Sequence, residues 1–358
     1  MLKVRGPFAL LPLLFLIAIA DACGGTTPAS SADVGKGSLT GAGATFPEPF
    51  YTRAFYMYNQ AYPQVSVNYQ AVGSGAGIQQ FIKGTVDFGA SDVPMQATDI
   101  TAAGGADSLV QIPTTLGVVA IAYNLPGVSR LQLDGASLAG IYLGQVKKWN
   151  DPALVALNQG TDLPSTAITV VHRSDGSGTT YHFTDYLGKV SGDWKSKVGF
   201  AKSVQWPAGI GGKGNDGVAQ SVKQTAGAIG YVELAYVAQS GMQQAFVKNR
   251  DGKFVQASVA GATAAAAQNH DVSPSNFSIT DEPGESSYPI AGFSWVIVRT
   301  SISDPQKARA VVFLLKWLVT DGQQYGKDLQ YAPLPQSVQQ LALANLKHVT
   351  SGGAPVLG

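Results

Sequence analysis

Residues 168–187 read Ile-Thr-Val-Val-His-Arg-Ser-Asp-Gly-Ser-Gly-Thr-Thr-Tyr-His-Phe-Thr-Asp-Tyr-Leu. The run 168–172, β-branched through Val171, fits a buried strand, and Asp-Gly-Ser-Gly at 175–178 stops it with turn residues. From Thr179 a helix-length segment follows at once. A strand that passes through small residues directly into a helix is the repeating unit of an α/β sheet, largely parallel. Working outward, the same unit recurs. Strands are predicted at 65–70, 86–89, 109–112, 118–123, 228–232 and 295–299. Helices are predicted at 47–62, 77–83, 137–143, 179–187, 216–224, 257–268, 305–320 and 337–347. In the first of these, Phe50, Phe55, Tyr58 and Tyr62 recur at near-helical spacing and read as a core stripe.

Composition narrows the function. Gly supplies 42 of 358 residues, well above the usual share of about 7%, so the chain has many positions where backbone must turn tightly or approach something closely. Lys and Arg number 24 against 23 Asp and Glu, which leaves no basic field for nucleic acid. One Cys and four His exclude a disulfide framework within the chain and a Cys-rich metal site, and no cofactor or metal is expected.

The Cys has its own reading. Residues 1–22 look like an export signal: Lys3 and Arg5 form a positive start, and 8–20 is an apolar stretch short for a membrane span. It ends in Ala20-Asp-Ala-Cys23, which fits either a general signal peptidase site or a bacterial lipobox, with the cut before Cys23 in both. On the lipobox reading Cys23 carries the lipid, and 23–37 is an anchor and flexible linker. Asp21 and the lack of Leu three residues before Cys23 depart from the usual lipobox. No later segment reaches 18 unbroken apolar residues.

Three glycine-bracketed turns lead into predicted helices: Gly41-Ala-Gly-Ala-Thr-Phe-Pro47, Gly73-Ser-Gly-Ala-Gly77 and Asp175-Gly-Ser-Gly-Thr-Thr180. At each, unpaired N–H groups and the positive end of the helix dipole favour an anion, and Thr45, Ser74, Ser177 and Thr179 add hydroxyl donors. Each turn alone also reads as a plain cap. Nucleotide fingerprints do not fit, since 73–77 is GxGxG and Gly212-Lys213 is followed by Gly214. Beside the turns stand Asp92, just after a short strand, and Arg173. A guanidinium binds an oxyanion, whereas a carboxylate repels one unless the ligand brings a proton. The bland readings are a cap or turn role for Asp92 and a surface pair with Asp175 for Arg173.

Four segments together resemble a known family: Ser38-Leu-Thr-Gly-Ala-Gly-Ala-Thr-Phe-Pro47, Thr85-Val-Asp-Phe-Gly-Ala-Ser-Asp92, Arg173-Ser-Asp-Gly-Ser-Gly-Thr179 and Gly211-Gly-Lys-Gly-Asn-Asp-Gly217. They are similar to the PstS family, the phosphate-binding proteins of ABC-type phosphate importers, over a stretch running from about Ser38 to Pro335. The resemblance implies a type II periplasmic-binding-protein fold, in which two α/β lobes are joined by two crossing strands around a ligand cleft. The crossings should fall near 113–118 and 287–292, with lobe 1 at 38–114 plus 288–358 and lobe 2 at 115–287. It implies phosphate contacts from Thr45, Phe46, Ser74, Asp92 as proton acceptor, Arg173, Ser177, Gly178 and Thr179. Some relatives carry a second Ser where this chain has Gly75. The implied protein is a monomeric, non-catalytic receptor in the periplasm or on the outer face of the cytoplasmic membrane. Its partners are inorganic phosphate and the permease and ATPase subunits of the importer. A competing reading is a secreted phosphoester hydrolase using Ser177 with His172 or His182, although no Ser sits in a GxSxG elbow. A third keeps the fold and binds another protonated oxyanion.

Overall fold

The first strand forms where propensity gives no hint of one. In the computed structural model, which describes residues 33–357, Gly37–Gly43 (β1) is a strand although three of its seven residues are Gly. Its small residues let neighbours close in: a side chain on Gly41 would overlap the Phe88 ring, and one on Gly43, at φ 152°, would strike the backbone of Ala90. The predicted leader and Cys23 lie outside the described residues. The residues from Val34 onward form one compact unit.

The alternation continues with helix Glu48–Ala61 (α1), strand Val65–Ala71 (β2), helix Ser74–Ile82 (α2) and strand Phe88–Ser91 (β3). Strand β1 pairs in parallel with β2 on one side and β3 on the other. Phe50, Phe55 and Tyr58 of α1 are buried, and Tyr62 packs partly buried against the same core, as the aromatic stripe predicts.

Residues 109–112 and 118–123, expected as two strands, are one continuous strand, Leu109–Asn124 (β4). Between them lies Pro113, which has no N–H for a ladder. The strand absorbs it at a bulge against Ile290–Arg299 (the last long strand, labelled β8 below). Trp295 pairs with Pro113 and Ser294 with Thr115, which leaves Thr114 as the extra residue. The Thr114 hydroxyl donates to the Ser294 carbonyl at 3.2 Å and lies 2.5 Å from the Tyr51 hydroxyl, so the bulge is tied into the core.

The second half contains strand Thr169–Arg173 (β5), helix Gly178–Val190 (α3), strand Ile210–Gly212 (β6), helix Gly214–Gln224 (α4) and strand Ala228–Glu233 (β7), followed by β8. The strand order is β2-β1-β3-β8-β4-β7-β5-β6, with Ile279–Thr280 added on β8 and Gln243–Gln244 on β4 to make ten strands. Strand β4 pairs antiparallel with β8 along 109–118 and with β7 along 119–124, so it is shared by two α/β lobes. Within each lobe the chain reverses its winding: β1 leads to neighbours on both sides, and so does β5. Such switch points leave a crevice at the carboxyl ends of the strands, where helix N-termini gather.

Candidate functional site

The residues singled out from sequence lie at those carboxyl ends. Thr45 and Phe46 follow β1, Asp92 follows β3, Arg173 ends β5, and Ser74 and Gly178 begin α2 and α3. The second and third glycine turns meet face to face. Gly75 N–H donates to the Gly176 carbonyl at 2.8 Å, and Gly178 N–H donates to Ser74 Oγ at 3.1 Å. Contact this close demands the missing side chains: one at 178 would run into Asp92, and one at 73, where φ is 94°, would run into Asp175.

Asp92 is 1% exposed. Its Oδ1 accepts from Ser294 Oγ at 2.6 Å and its Oδ2 from Ser74 Oγ at 3.4 Å. Burial pushes its pKa up to about 7, against the lowering effects of Ser294, Arg173 and Ser74. It caps no helix: the next one, Ala97–Ala102, starts behind Gln96.

Arg173 is 3% exposed, so its partnership with Asp175 is a buried one and not a surface pair. Nε and Nη2 grip the two Asp175 oxygens at 2.8 and 2.5 Å, and Nη1 donates to Thr179 Oγ1 at 3.3 Å. Burial works to raise the Asp175 pKa, but Arg173 and the Gly214 N–H, 3.0 Å from Oδ1, hold it below the ordinary value. The planar fork on a carboxylate fixes where the guanidinium points.

Sequence reasoning missed several groups here. Asn215, in α4, donates through Nδ2 to Thr45 Oγ1 at 2.9 Å and Thr179 Oγ1 at 3.2 Å. Its segment, 211–217, carries part of the family resemblance, but the residue pattern assigns Asn215 no role. Ser294 sits inside an apolar strand and carries no sequence signal. Tyr236 donates to the Thr45 carbonyl at 2.6 Å, and Tyr331 donates to the Phe46 carbonyl at 2.6 Å while lying 3.0 Å from Glu233 Oε2. The bonds from the two tyrosines to the Thr45 and Phe46 carbonyls span 191 and 285 residues of chain, which no local pattern reveals.

Ser177 caps α3 by accepting the Thr180 N–H at 3.0 Å, which leaves its own proton available. Neither His pairs with it. His182 is buried against the Phe46 ring with both ring nitrogens unpartnered, and burial lowers its pKa to about 4. His172 Nδ1 lies 3.1 Å from the Arg173 carbonyl. The cluster therefore presents hydroxyls, helix-start N–H groups, a guanidinium held by Asp175 and the separate carboxylate of Asp92, an arrangement suited to holding an oxyanion.

The family follows from comparison with known proteins. The sequence model of the PBP superfamily domain matches residues 26–321. The phosphate-binding protein PstS of Xylella fastidiosa (strain 9a5c) is 43% identical over 318 residues, covering 87% of this chain and 86% of that protein. The chain belongs to the PstS family. PstS of Pasteurella multocida (strain Pm70) is 44% identical over 314 residues, covering 87% of this chain and 90% of its own. The fold is shared more widely than the sequence. A solved phosphate-binding protein from Stenotrophomonas maltophilia superposes with a TM-score of 0.64 at 20% identity, over 86% of this chain and 94% of that one. The architecture is the expected type II periplasmic-binding-protein fold, and in this PstS-family chain β4 pairs with β8 along one half and with β7 along the other.

Proposed function

We propose that this chain is an exported receptor that closes its lobes, 38–114 plus 288–358 and 115–287, on inorganic phosphate and delivers it to the permease and ATPase subunits of an ABC importer. The observation that carries the reading is a buried carboxylate, Asp92, that has no cation among the described residues in hydrogen-bonding contact with it and is set among hydroxyls and N–H groups that can donate. Phosphate is held by the hydroxyls of Thr45, Ser74, Ser177 and Thr179, the N–H groups of Phe46, Gly178 and Thr179, and the Arg173 guanidinium. Asp92 accepts the proton that a mono- or dihydrogen phosphate carries and sulfate lacks. With its pKa near neutrality, Asp92 shares that proton at small cost, where an ordinary carboxylate would stand as a bare charge against an anion. Closing the lobes removes water, so neutral donors suffice to hold the ion. The names of the PstS relatives support the ligand.

The protein acts as a monomer in the periplasm or on the outer face of the cytoplasmic membrane, tethered through a lipidated Cys23. No helix among the described residues is long and apolar enough to cross a membrane. Mass spectrometry of the membrane fraction should find a diacylated Cys23, and an unmodified Cys23 there would remove the tether. The hydrolase reading lacks support from geometry, since Ser177 has no His within hydrogen-bonding reach. Calorimetric titration of the mature protein with phosphate, sulfate and arsenate tests the ligand. Tight phosphate binding with weak sulfate binding is expected; tight sulfate and no phosphate would overturn the reading, and arsenate matching phosphate would broaden it to protonated oxyanions as a class.

A further inference from the structure

A hydroxyl has one proton and two lone pairs, so what occupies the lone pairs decides what the proton must do. Thr45 Oγ1 accepts from Asn215 twice, from the backbone N–H at 3.2 Å and from Nδ2 at 2.9 Å. Thr179 Oγ1 accepts from Arg173 Nη1 at 3.3 Å and from the other Nδ2 proton at 3.2 Å. Both hydroxyls have their lone pairs filled, and each is left able only to donate. The orientation of Asn215 is itself enforced, because its Oδ1 accepts the Glu233 N–H at 3.0 Å, which turns Nδ2 toward the two threonines. The residue is fully buried and every polar atom of its amide is engaged.

We propose that Asn215 is the positioning residue that fixes the polarity of Thr45 and Thr179 as donors, so that neither competes with Asp92 for a ligand proton. The inference rests on the phosphate-receptor reading above. A free-turning threonine hydroxyl can accept a hydrogen bond from a protonated ligand oxygen as readily as it donates one to a bare oxygen, so it would not distinguish the two. Locked as donors, Thr45 and Thr179 favour ligand oxygens without protons, and the protonated oxygen is directed to Asp92.

The test is phosphate affinity by calorimetry for Asn215→Ala and Asn215→Asp, each also placed in a Thr179→Val background, from pH 5 to 8. Asn215→Ala should weaken phosphate about 10- to 100-fold, the range for hydrogen bonding to charged groups, and should weaken the Thr179→Val protein clearly less. Asn215→Asp keeps the side chain's size and its acceptor for the Glu233 N–H but replaces the donor with an acceptor. It should bind phosphate worse than the Ala variant at pH 8 and regain affinity relative to the unaltered protein toward pH 5, as the new carboxyl takes up a proton and donates again. A purely structural Asn215 predicts equal losses in both backgrounds and no pH-dependent recovery. Either of those results, or full affinity in both variants, overturns the proposal. If the unaltered protein fails to bind phosphate, the receptor reading falls first, and that outcome is distinct from all of these.

Discussion

Asp92 and Asp175 lie on opposite walls of one cluster and are driven in opposite directions. Both are withdrawn from water, and burial alone would raise both pKa values. Asp92 faces two serine hydroxyls, Ser294 and Ser74, and is pushed up to about 7. Asp175 faces the fork of Arg173 and a backbone N–H from Gly214, and is held below its ordinary value. The lesson is that a negative residue near an anion site has two separate uses. Asp175 keeps its charge and positions a cation; Asp92 can exchange a proton near neutral pH and therefore suits a ligand that carries one.

The sharpest way to break this comparison is to remove the cation. Arg173→Ala deletes both the donor to the ligand and the partner of Asp175. Phosphate binding should fall by about a hundredfold or more, as expected for losing charge-assisted bonds in a buried site. Circular dichroism should still show a folded protein, because Asp175 retains the Gly214 N–H and is 14% exposed at its side chain. Arg173→Lys should fall between, since a point charge cannot hold the carboxylate with a planar fork. Unchanged affinity in the Ala variant would mean that the guanidinium serves Asp175 alone.

Altering the other wall should cost less and change selectivity more. In Asp92→Asn a neutral amide replaces the carboxylate, so the phosphate proton loses its charged acceptor and has at best a carbonyl oxygen, a loss of about tenfold. Sulfate gains a donor, and its affinity should rise. A variant that binds phosphate more weakly while still rejecting sulfate would show that discrimination lies elsewhere in the cleft.

The contrast between the walls also shows how much was legible in the sequence. The three glycine turns, Asp92 and Arg173 announce themselves because their chemistry is local: a strand stops, a helix begins, and a charge stands at the junction. Strand β1 was invisible because Gly and Ala carry little strand propensity, and it forms because small residues let Phe88 and α2 pack against it. The sequence predicts β4 as two pieces, whereas the structure carries it through Pro113 by a bulge against its partner β8, and that partner is distant in the chain. Ser294 and Asn215 reach the cluster from β8 and α4. Their roles come from tertiary convergence, which residue type and spacing do not encode.

The smallest expected effect is on stability against pH, and here the two carboxylates should give slopes of opposite sign. Between its ordinary 3.8 and about 7, native Asp92 keeps a proton that the unfolded chain releases. Stability then falls as pH rises through that window and levels off above it. Asp175 behaves in reverse: its depressed pKa means the native state holds fewer protons, so its contribution is present above the ordinary carboxylate range and is lost as pH falls through its folded value. Thermal unfolding without phosphate, from pH 3 to 8, should therefore show Asp92→Asn flattening the decline between about 4 and 7 relative to the unaltered protein. Asp175→Asn should lower the midpoint at neutral pH and converge on the unaltered protein in acid. Glu233, also raised by burial, adds a slope of the same sign as Asp92, so the difference between variant and parent is the measure and not the slope itself. Two variants that changed the profile in the same direction would show that the walls are one coupled unit and not two separate devices.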